Sequence, residues 1–250
     1  MSKELAGKIA IITGGAGGIG SKIAHAFASN GAKVVIASRD EKKLKKVAAD
    51  ITAKGQTCVS MVCDVTNADQ VEQMVADTVK DLGGLDIMVN NAGGAMFVKP
   101  PEELLAQEWR AAIALNLDSV FYCSAAAGRH MIEQGGGRII NISSVAGIKH
   151  SPPFIHYGAA KAGVINLTKS MAVCWGPHNI NVNCIAPGLT ATEGVARWLP
   201  AKTQKDGSPV PTLQYPPDPQ HVADLAVFLA APGSARISGE VFPIRALYEV

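Results

Sequence analysis

The feature that most constrains the fold is a repeated alternation of short apolar runs with segments of helical periodicity. Six runs rich in β-branched residues are bounded by glycines or polar turns: KIAIIT, KVVIAS, TCVSMVCDV, LDIMVN, RIINISS and NINVNCIAP. Each run is almost continuously hydrophobic, which is typical of a strand buried on both faces of a sheet. The alternation therefore predicts an α/β fold. In it, a doubly wound parallel sheet carries helices on both faces and binds ligands at the carboxyl ends of its strands.

Length and charge exclude several other classes of protein. A chain of 250 residues suits one α/β domain, and we expect a single domain over residues 1–250. The formal net charge of +2 is spread over scattered positions. It therefore supplies no basic face for nucleic acid or for an anionic membrane.

The cysteines and the N-terminus indicate a cytoplasmic protein without metal. Five cysteines with no CxxC pair fit neither a disulfide framework nor a zinc site, and no two histidines have metal-ligand spacing. The N-terminus lacks an apolar stretch long enough for a signal peptide, and no later segment reaches about 18 uninterrupted apolar residues. We expect a reducing compartment and no membrane partner.

The final third of the chain departs from the alternating pattern. Residues 190–219 hold six prolines, Trp198, Tyr215 and a KDGSP turn, which leaves little room for a regular strand. A loop this long inside a domain is more often functional or mobile than idle, although it can also be a plain connection. We interpret residues 189–219 as a lid over the substrate site.

A glycine-rich turn follows the first predicted strand. TGGAGGIG, residues 13–20, leads directly into the predicted helix SKIAHAFASNG. Glycines let the backbone turn tightly and bring its amides, with the positive end of the helix dipole, close to a pyrophosphate. The run can be read as GxGxxG from Gly15 or as TGxxxGxG from Thr13. Its position at the first strand–helix turn indicates a nucleotide site.

The end of the second predicted strand bears on which nucleotide binds. NAD sites usually place an acidic side chain there for the ribose hydroxyls, whereas the extra phosphate of NADP calls for a cation. VVIASRD offers Ser38 and Arg39, and a guanidinium can clamp a phosphate in two places. NADP(H) is therefore favoured. NAD(H) stays possible, because Asp40 would be the acidic residue if the strand ran two residues longer and Arg39 could simply be a surface charge.

Tyr157 and Lys161 are the candidate acid–base pair. Residues four apart lie on the same face of a helix, so the two side chains can share one pocket wall. The spacing alone is uninformative, since about 0.26 such pairs are expected by chance from four tyrosines and sixteen lysines in 250 residues. The neighbourhood supports the pair, because residues 158–160 are small and Ser143 and Ser144 end the preceding strand at the same sheet edge.

A lysine beside a tyrosine changes the acidity of the tyrosine. An ammonium about 4 Å away, at an effective dielectric near 20, stabilises a phenolate by about 4 kcal/mol and would bring the tyrosine pKa from about 10 to about 7. We therefore predict a lowered pKa for Tyr157. A group poised there can exchange a proton while an alcohol and a carbonyl interconvert. A serine hydroxyl would stabilise the charge that develops during hydride transfer to or from a nicotinamide.

Together these motifs resemble those of the short-chain dehydrogenase/reductase family, in its compact single-domain branch. The resemblance runs from Lys8 to about Gly239, with the motifs in the family's order: TGGAGGIG, CDV, NNAG, LNL, INISS, YGAAK and IAPGLTAT. It implies a Rossmann-type sheet of about seven strands in the order 3-2-1-4-5-6-7. It also implies an NAD(P)-dependent oxidoreductase acting on CH–OH groups, and a homo-oligomer, a dimer or tetramer, built on two central helices.

The resemblance further implies roles for individual residues. Asn116 would hold a water that links Lys161 to solvent, and Lys161 would also grip the nicotinamide ribose. Tyr157 would transfer the proton, and Ser144 would orient the substrate, since it stands thirteen residues before Tyr157 as the family's serine does. With Ser38 and Arg39, the residues expected to bind the cofactor are Thr13, Gly14, Gly18, Ile19, Gly20, Asp64, Val65, Asn91, Ala92, Gly93, Tyr157, Lys161, Pro187, Gly188 and Thr192.

Two features depart from the family's pattern. Gly17 stands where NADP-preferring relatives often place a basic residue, so the NADP(H) prediction depends on Ser38 and Arg39. The C-terminus ISGEVFPIRALYEV lacks the Asp-Gly-Gly that commonly closes such chains, which leaves the boundary of the last strand open.

We predict an NADP(H)-dependent oxidoreductase that interconverts a secondary alcohol and a ketone. A 3-oxoacyl-thioester reductase would use the same catalytic residues and is the alternative. A non-catalytic nucleotide-sensing module is a further one, against which the complete acid–base set counts. His150 and His156 are expected to contact substrate or to be exposed. Apolar candidate wall residues favour a hydrophobic or carbocyclic substrate; they are Met96, Phe97, Pro153, Phe154, Ile155, Trp198 and Leu199.

Overall fold

Seven parallel strands form the predicted sheet, in a computed structural model that describes residues 3–247. Their order across the sheet is 3-2-1-4-5-6-7, which confirms the order that the family resemblance implies. Pairing runs from Val34 opposite Cys58 near one edge to Pro187 opposite Ile244 at the other. The strands are β1 (Ile9–Thr13), β2 (Lys33–Ser38), β3 (Cys58–Val62), β4 (Ile87–Asn90), β5 (Gly137–Ile142), β6 (Ile180–Pro187) and β7 (Val241–Ile244).

Helices connect the strands and cover both faces of the sheet. They are α1 (Gly18–Ser29), α2 (Glu41–Thr52), α3 (Ala68–Leu82), α4 (Ala106–Ile113), α5 (Ser119–Gln134), α6 (Ile155–Trp175) and α7 (Pro219–Ala230). Asp40, Asn67 and Asp218 cap α2, α3 and α7 by accepting hydrogen bonds from backbone N–H groups of the first turn. A π-helical turn, Ala114–Asp118, joins α4 to α5.

The sheet is buried between two helical layers because neighbouring strand residues point to opposite faces. In β1, Ile12 packs in a cluster with residues of α1, α2 and α7, whereas Ile11 packs with residues of α3, α5 and α6. Phe27 and Met131 are fully buried in these two clusters. The near-continuous apolar runs of the sequence are therefore explained by burial on both sides.

Strand β3 differs from the prediction that every strand is buried on both faces. Its residues from Cys58 to Met61 are only partly buried, and Val62 is 61% exposed. β3 pairs with β2 alone and forms one edge of the sheet. The apolar run TCVSMVCDV therefore exceeds the paired strand, which ends at Val62.

The segment between β6 and α7 contributes no strand to the sheet, as its prolines predict. It contains short 3-10 turns, of which Glu193–Trp198 and Thr212–Gln214 are two. β7 follows α7 and ends at Ile244. Residues 248–250, the last three of ISGEVFPIRALYEV, lie outside the described residues.

One described helical stretch, Ala106–Gln134, is long and apolar enough to cross a membrane by length and composition. Half of its most apolar window is buried inside the domain. α5 also packs against α3 and against β4 and β5 of the sheet. The stretch therefore has the surroundings of a core helix.

Candidate active site

A cavity of about 1110 Å³ lies at the carboxyl ends of β1, β4, β5 and β6. In a parallel sheet these ends share one edge, and the volume suits a dinucleotide with a small substrate beside it. The cavity brings together most of the predicted site residues. Those that line it are Gly14, Gly18, Ile19, Asn91, Ala92, Gly93, Ser144, Tyr157, Lys161, Pro187, Gly188 and Thr192.

The remaining predicted residues lie behind this cavity or beside it. Ser38 and Arg39 line a second concavity of about 560 Å³ at the end of β2. Asp64 approaches Arg39, with 3.9 Å between its Oδ2 and the guanidinium NH1. The others that do not line the main cavity are Thr13, Gly20, Val65 and Asn116.

The glycine loop is shaped for close approach of a ligand to the backbone. Gly18 has a φ of +54°, a conformation that side chains disfavour. A Cβ on Gly20 would lie 2.3 Å from the carbonyl oxygen of Gly14, so only glycine lets α1 start this close to the loop. A Cβ on Gly17 would meet nothing within 4 Å, and Gly17 and Gly18 both line the cavity at the start of α1. This open helix N-terminus fits the pyrophosphate of a dinucleotide.

Thr13 ties the glycine loop to the NNAG turn. Its buried hydroxyl accepts hydrogen bonds from the backbone N–H groups of Asn91 at 3.0 Å and Ala92 at 3.1 Å, and donates to Val89 O at 3.3 Å. The Asn91 amide donates back to Thr13 O at 3.0 Å. With its side chain turned away from the cavity, Thr13 holds the two segments in register.

Asn116 is fully buried and anchors the same turn from the other side. Its Oδ1 accepts from Gly94 N at 2.9 Å, and its Nδ2 donates to the carbonyl oxygens of Gly94 at 3.1 Å and Ala112 at 3.0 Å. A Cβ on Gly93 would lie 2.7 Å from Asn116 Oδ1 and 3.2 Å from Lys161 Nζ. The side-chain amide thus positions the turn beside Lys161, and the water-holding role stays a prediction.

The two adjacent serines have different surroundings. Ser143 Oγ is buried and donates to Lys161 O at 2.7 Å, which fixes β5 to α6. Ser144 Oγ donates to Pro187 O at 3.3 Å and accepts from Ala146 N at 3.2 Å. Its hydroxyl also lies close enough to the Tyr157 hydroxyl to lower the pKa of that phenol. Ser144 therefore shares the reacting end of the cavity with Tyr157.

Lys161 lies beneath Tyr157 on α6. Its Nζ is 5.5 Å from the centre of the Tyr157 ring and donates to Ile142 O at 2.9 Å. Burial lowers the pKa of Lys161 to about 8. Lys161 is therefore still an ammonium at neutral pH, although its side chain is only 2% exposed.

The prediction that the pKa of Tyr157 is lowered is wrong for the protein without bound cofactor or substrate. Burial raises the pKa of the Tyr157 phenol, and the nearby Ser144 hydroxyl lowers that pKa by less. The physical reason is that the prediction counted the ammonium and omitted desolvation, which disfavours the phenolate. Tyr157 is therefore a protonated group, suited to giving a proton, across the neutral range.

Asp40 is not the acidic residue at the end of β2; it belongs to the start of α2. The strand ends at Ser38, and Asp40 caps α2, accepting from Lys43 N at 3.0 Å and pairing with Lys43 Nζ at 3.2 Å. These hydrogen bonds hold the pKa of Asp40 below its usual value. Ser38 Oγ accepts from Asp40 N at 3.1 Å. Arg39 stands between the strand and the helix with 71% of its side chain exposed.

His156 is a correction to the sequence analysis. It is 1% exposed and does not line the cavity, so it is neither exposed nor placed to contact substrate. Its Nε2 accepts from Phe97 N at 3.4 Å, and the two rings lie 5.9 Å apart. His156 therefore holds the segment after the NNAG turn against α6.

The apolar wall is only partly the predicted one. Pro153, Phe154 and Trp198 line the cavity, whereas Met96, Phe97, Ile155 and Leu199 do not. Sequence reasoning also missed a lining residue, Arg197. No spacing rule could have found it, because Arg197 lies on a short 3-10 helix in a proline-rich segment without helical or strand periodicity. Among the other lining residues that were not predicted are Ala95, Val98, Leu189, Thr190, Gly194 and Val195.

Comparison with known proteins gives one consistent match. A family model described as short chain dehydrogenase matches residues 8–203. The chain is 36% identical to a 3-oxoacyl-[acyl-carrier-protein] reductase of Synechocystis sp., with 96% of each chain covered. It is 34% identical to a D-threitol dehydrogenase of Mycolicibacterium smegmatis, covering 94% of this chain and 90% of the relative.

A solved structure extends the similarity to the fold. A 7 alpha-hydroxysteroid dehydrogenase, complexed with NADH and 7-oxo glycochenodeoxycholic acid, superposes with a TM-score of 0.88 at 30% identity. The match covers 98% of this chain and 95% of that one.

Proposed function

The chain belongs to the short-chain dehydrogenase/reductase family, NAD(P)-dependent oxidoreductases that act on CH–OH groups, and we propose that it interconverts a secondary alcohol and a ketone with NADP(H). One observation carries the proposal: Ser144, Tyr157 and Lys161 line the same cavity as the open glycine loop. Bound NADPH would supply the hydride for ketone reduction, and NADP⁺ would accept it in the reverse direction.

The protein residues handle the proton and the charge. In reduction, the Tyr157 hydroxyl donates its proton to the carbonyl oxygen, which becomes the alcohol oxygen. Ser144 Oγ donates a hydrogen bond to the same oxygen and stabilises its developing charge. The Lys161 ammonium then stabilises the phenolate left on Tyr157, because burial keeps water from screening the two charges. Asn116 keeps the turn beside Lys161 in place through its bonds to Gly94.

The dinucleotide would extend from the reacting end of the cavity toward the end of β2. Gly14, Gly18 and Ile19 are proposed to hold the pyrophosphate, and Asp64 and Val65 the adenine side. Residues 189–219 are proposed as a lid, which is supported by the lining positions of Thr192, Arg197 and Trp198.

Turnover of the wild-type protein tests the proposed activity. Purified protein with NADPH and a panel of cyclic and acyclic ketones should lower the absorbance of the reduced cofactor. Cofactor binding without oxidation across the panel would contradict the proposal and favour a nucleotide-sensing module.

A second candidate function is reduction of 3-oxoacyl thioesters. It is favoured by the similarity to the Synechocystis 3-oxoacyl-[acyl-carrier-protein] reductase. The predicted catalytic residues would be the same for both functions; they are Asn116, Ser144, Tyr157 and Lys161. Only the rates on different substrates can therefore distinguish the two functions. Higher kcat/KM for acetoacetyl thioesters than for simple cyclic ketones would support this second function over the first.

The preference for NADP(H) is supported by the end of β2. Asp40 lines the same concavity as Ser38 and Arg39, but its carboxylate already caps α2 and pairs with the Lys43 ammonium. Arg39 is exposed beside Ser38 in the second concavity, where a guanidinium would clamp a 2′-phosphate.

Arg39→Met is expected to raise KM for NADPH by about tenfold to a hundredfold, because a charge-assisted hydrogen bond contributes about 1.5–3 kcal/mol. KM for NADH should change less than about twofold, since NADH lacks the phosphate. Steady-state kinetics with both cofactors measures the difference. Arg236→Met, the same change at an exposed arginine that precedes β7, is the matched control. An equal rise for both cofactors would contradict the assignment.

A homo-oligomer built on α5 and α6 is also proposed. Phe121 on α5 is 49% exposed and Val173 on α6 is 80% exposed, and the two helices pack against each other. A second copy of the chain would cover these apolar side chains. A monomer mass from light scattering at micromolar protein would contradict this proposal.

A further inference from the structure

We infer that the substrate carries an anionic group, and that Arg197 binds it. The inference rests on the proposed function, since it concerns the substrate of the same cavity. The shared chemistry is a carboxylate or phosphate oxygen that accepts hydrogen bonds from a guanidinium. An oxo acid would supply the anion as a carboxylate, and a coenzyme A thioester would supply it as phosphate.

The charges that line the cavity are the first step of the argument. Among the described residues that line it, only Lys161 and Arg197 are charged, and no carboxylate lines it. Apart from Tyr157, the rest of the lining consists of apolar side chains, glycines and small polar side chains. A neutral substrate would require no cation here, and a cationic substrate would be repelled. The anionic dinucleotide proposed for the same cavity is the competing partner for Arg197, and KM for NADPH distinguishes the two in the test below.

Lys161 is committed to the reacting end of the cavity. Its Nζ donates to Ile142 O at 2.9 Å beneath the ring of Tyr157, and the side chain is 2% exposed. It therefore serves Tyr157 and is not placed to bind a second, distant group of the substrate. Arg197 is the remaining cation of the lining.

Arg197 is held in place without an acidic partner. Its guanidinium carbon lies 4.3 Å from the centre of the Trp198 ring. A stacked guanidinium keeps the N–H groups at its edge available for an anion. No carboxylate oxygen in residues 3–247 lies within 4.0 Å of the Arg197 guanidinium nitrogens.

The local backbone explains why the nearest acidic residue does not neutralise Arg197. Glu193 precedes it by four residues, a spacing that would pair the two on an α-helix. Residues Glu193–Trp198 form a 3-10 helix instead, with three residues per turn, which places residues four apart on different faces. Glu193 does not line the cavity.

The arrangement defines the substrate class. The carbonyl group would lie at Ser144 and Tyr157, an apolar body against Phe154 and Trp198, and the anion at Arg197. This is an oxo or hydroxy compound with an apolar body and an acidic group away from the reacting carbon.

Two pairs of substrates, each with one anionic and one neutral member, test the inference. One pair is 4-oxocyclohexanecarboxylate and 4-oxocyclohexanecarboxamide; the other is acetoacetyl-coenzyme A and acetoacetyl-N-acetylcysteamine. Arg197→Met is expected to raise KM about tenfold for the anionic member of one pair, which corresponds to about 1.4 kcal/mol. KM for the neutral members should change less than about twofold. The pair that responds identifies carboxylate or phosphate as the source.

Two control variants separate loss of the charge at Arg197 from a general change in the protein. Arg197→Lys should recover part of the loss because it restores the charge, and Arg236→Met should leave every KM unchanged. The wild-type KM for the anionic substrate should also rise with salt, because ions screen an exposed charge pair. A rise in KM for NADPH with the neutral ketone would assign Arg197 to the cofactor and overturn the inference, as would equal responses within both pairs.

A binding measurement separates failure of this inference from failure of the proposed function. Absence of turnover for every ketone in the wild type would contradict the proposed function alone. Cyclohexanecarboxylate and cyclohexanecarboxamide are then titrated with NADP⁺ present, and tryptophan fluorescence is followed. Tighter binding of the carboxylate in the wild type, lost in Arg197→Met, supports the anion site. Equal affinity for the two compounds overturns it.

Discussion

Tyr157→Phe is expected to lower kcat for ketone reduction by about 10²- to 10⁴-fold, the range that one positioned general acid contributes. The phenylalanine ring keeps the packing of Tyr157 in the cavity wall and removes only the proton donor. Cofactor affinity should therefore stay within about threefold of the wild-type value. Stopped-flow measurement of single-turnover NADPH oxidation isolates the chemical step from product release.

Tyr122→Phe is the matched control, because Tyr122 lies on α5 and does not line the cavity. It should retain the wild-type rate. If Tyr157→Phe also kept that rate on a ketone that the enzyme turns over, Tyr157 would not be the proton donor.

The raised pKa of Tyr157 also predicts which direction of the reaction the enzyme favours at neutral pH. Ketone reduction uses the protonated phenol, which burial favours, whereas alcohol oxidation uses the phenolate. Reduction is therefore the direction for which the protein itself prepares Tyr157 at neutral pH. The rate of alcohol oxidation should rise as pH increases above neutral, up to the pKa of about 8 at which Lys161 loses the charge that stabilises the phenolate.

The fold was predictable because its determinants are local and repeated. The apolar runs identify strands, and KVVIAS matches β2 over its full length. Strand exposure was not predictable in the same way, since the edge position of β3 depends on which strands pair. The sequence of Cys58–Val62 is as apolar as that of a central strand, so composition cannot separate the two cases.

The candidate site likewise contains features that the sequence predicts and features that depend on the tertiary structure. Motif residues at strand ends, such as Ser144 and Gly93, meet at one edge because the strands are parallel. The direction of the Tyr157 pKa shift was missed because it depends on burial of the phenol, which the sequence does not display. Arg197 was missed because it lies on a short 3-10 helix, Glu193–Trp198, that no periodic pattern in the sequence predicts.

Lys161→Met is expected to trade activity for stability. The variant removes the charge that stabilises the Tyr157 phenolate, so kcat at saturating NADPH should fall by about 10²-fold or more. It also removes a buried ammonium whose pKa is lowered from 10.5 to about 8 by burial, which costs about 3 kcal/mol of folding free energy at pH 7. Methionine fills a similar volume without that cost.

The gain should be about 1–3 kcal/mol at pH 7, because Ile142 O loses its donor when the ammonium is removed. Unfolding in urea or thermal unfolding measures it, and about 2–4 °C in Tm is expected per kcal/mol for a chain of this length. Lys46→Met, at an exposed lysine on α2, should leave both activity and stability unchanged.

The stability gain of Lys161→Met should depend on pH in a direction that the Lys161 pKa fixes. Between the folded pKa of about 8 and the unfolded value of 10.5, the unfolded wild-type chain binds a proton that the folded chain has released. Wild-type stability should therefore rise through this range, while below it the cost of the buried charge is complete and constant. The advantage of Lys161→Met should be largest at pH 7 and shrink toward pH 10.5. A variant that is less stable than wild type at pH 7 would show that the hydrogen bond to Ile142 O outweighs the cost of burying the charge.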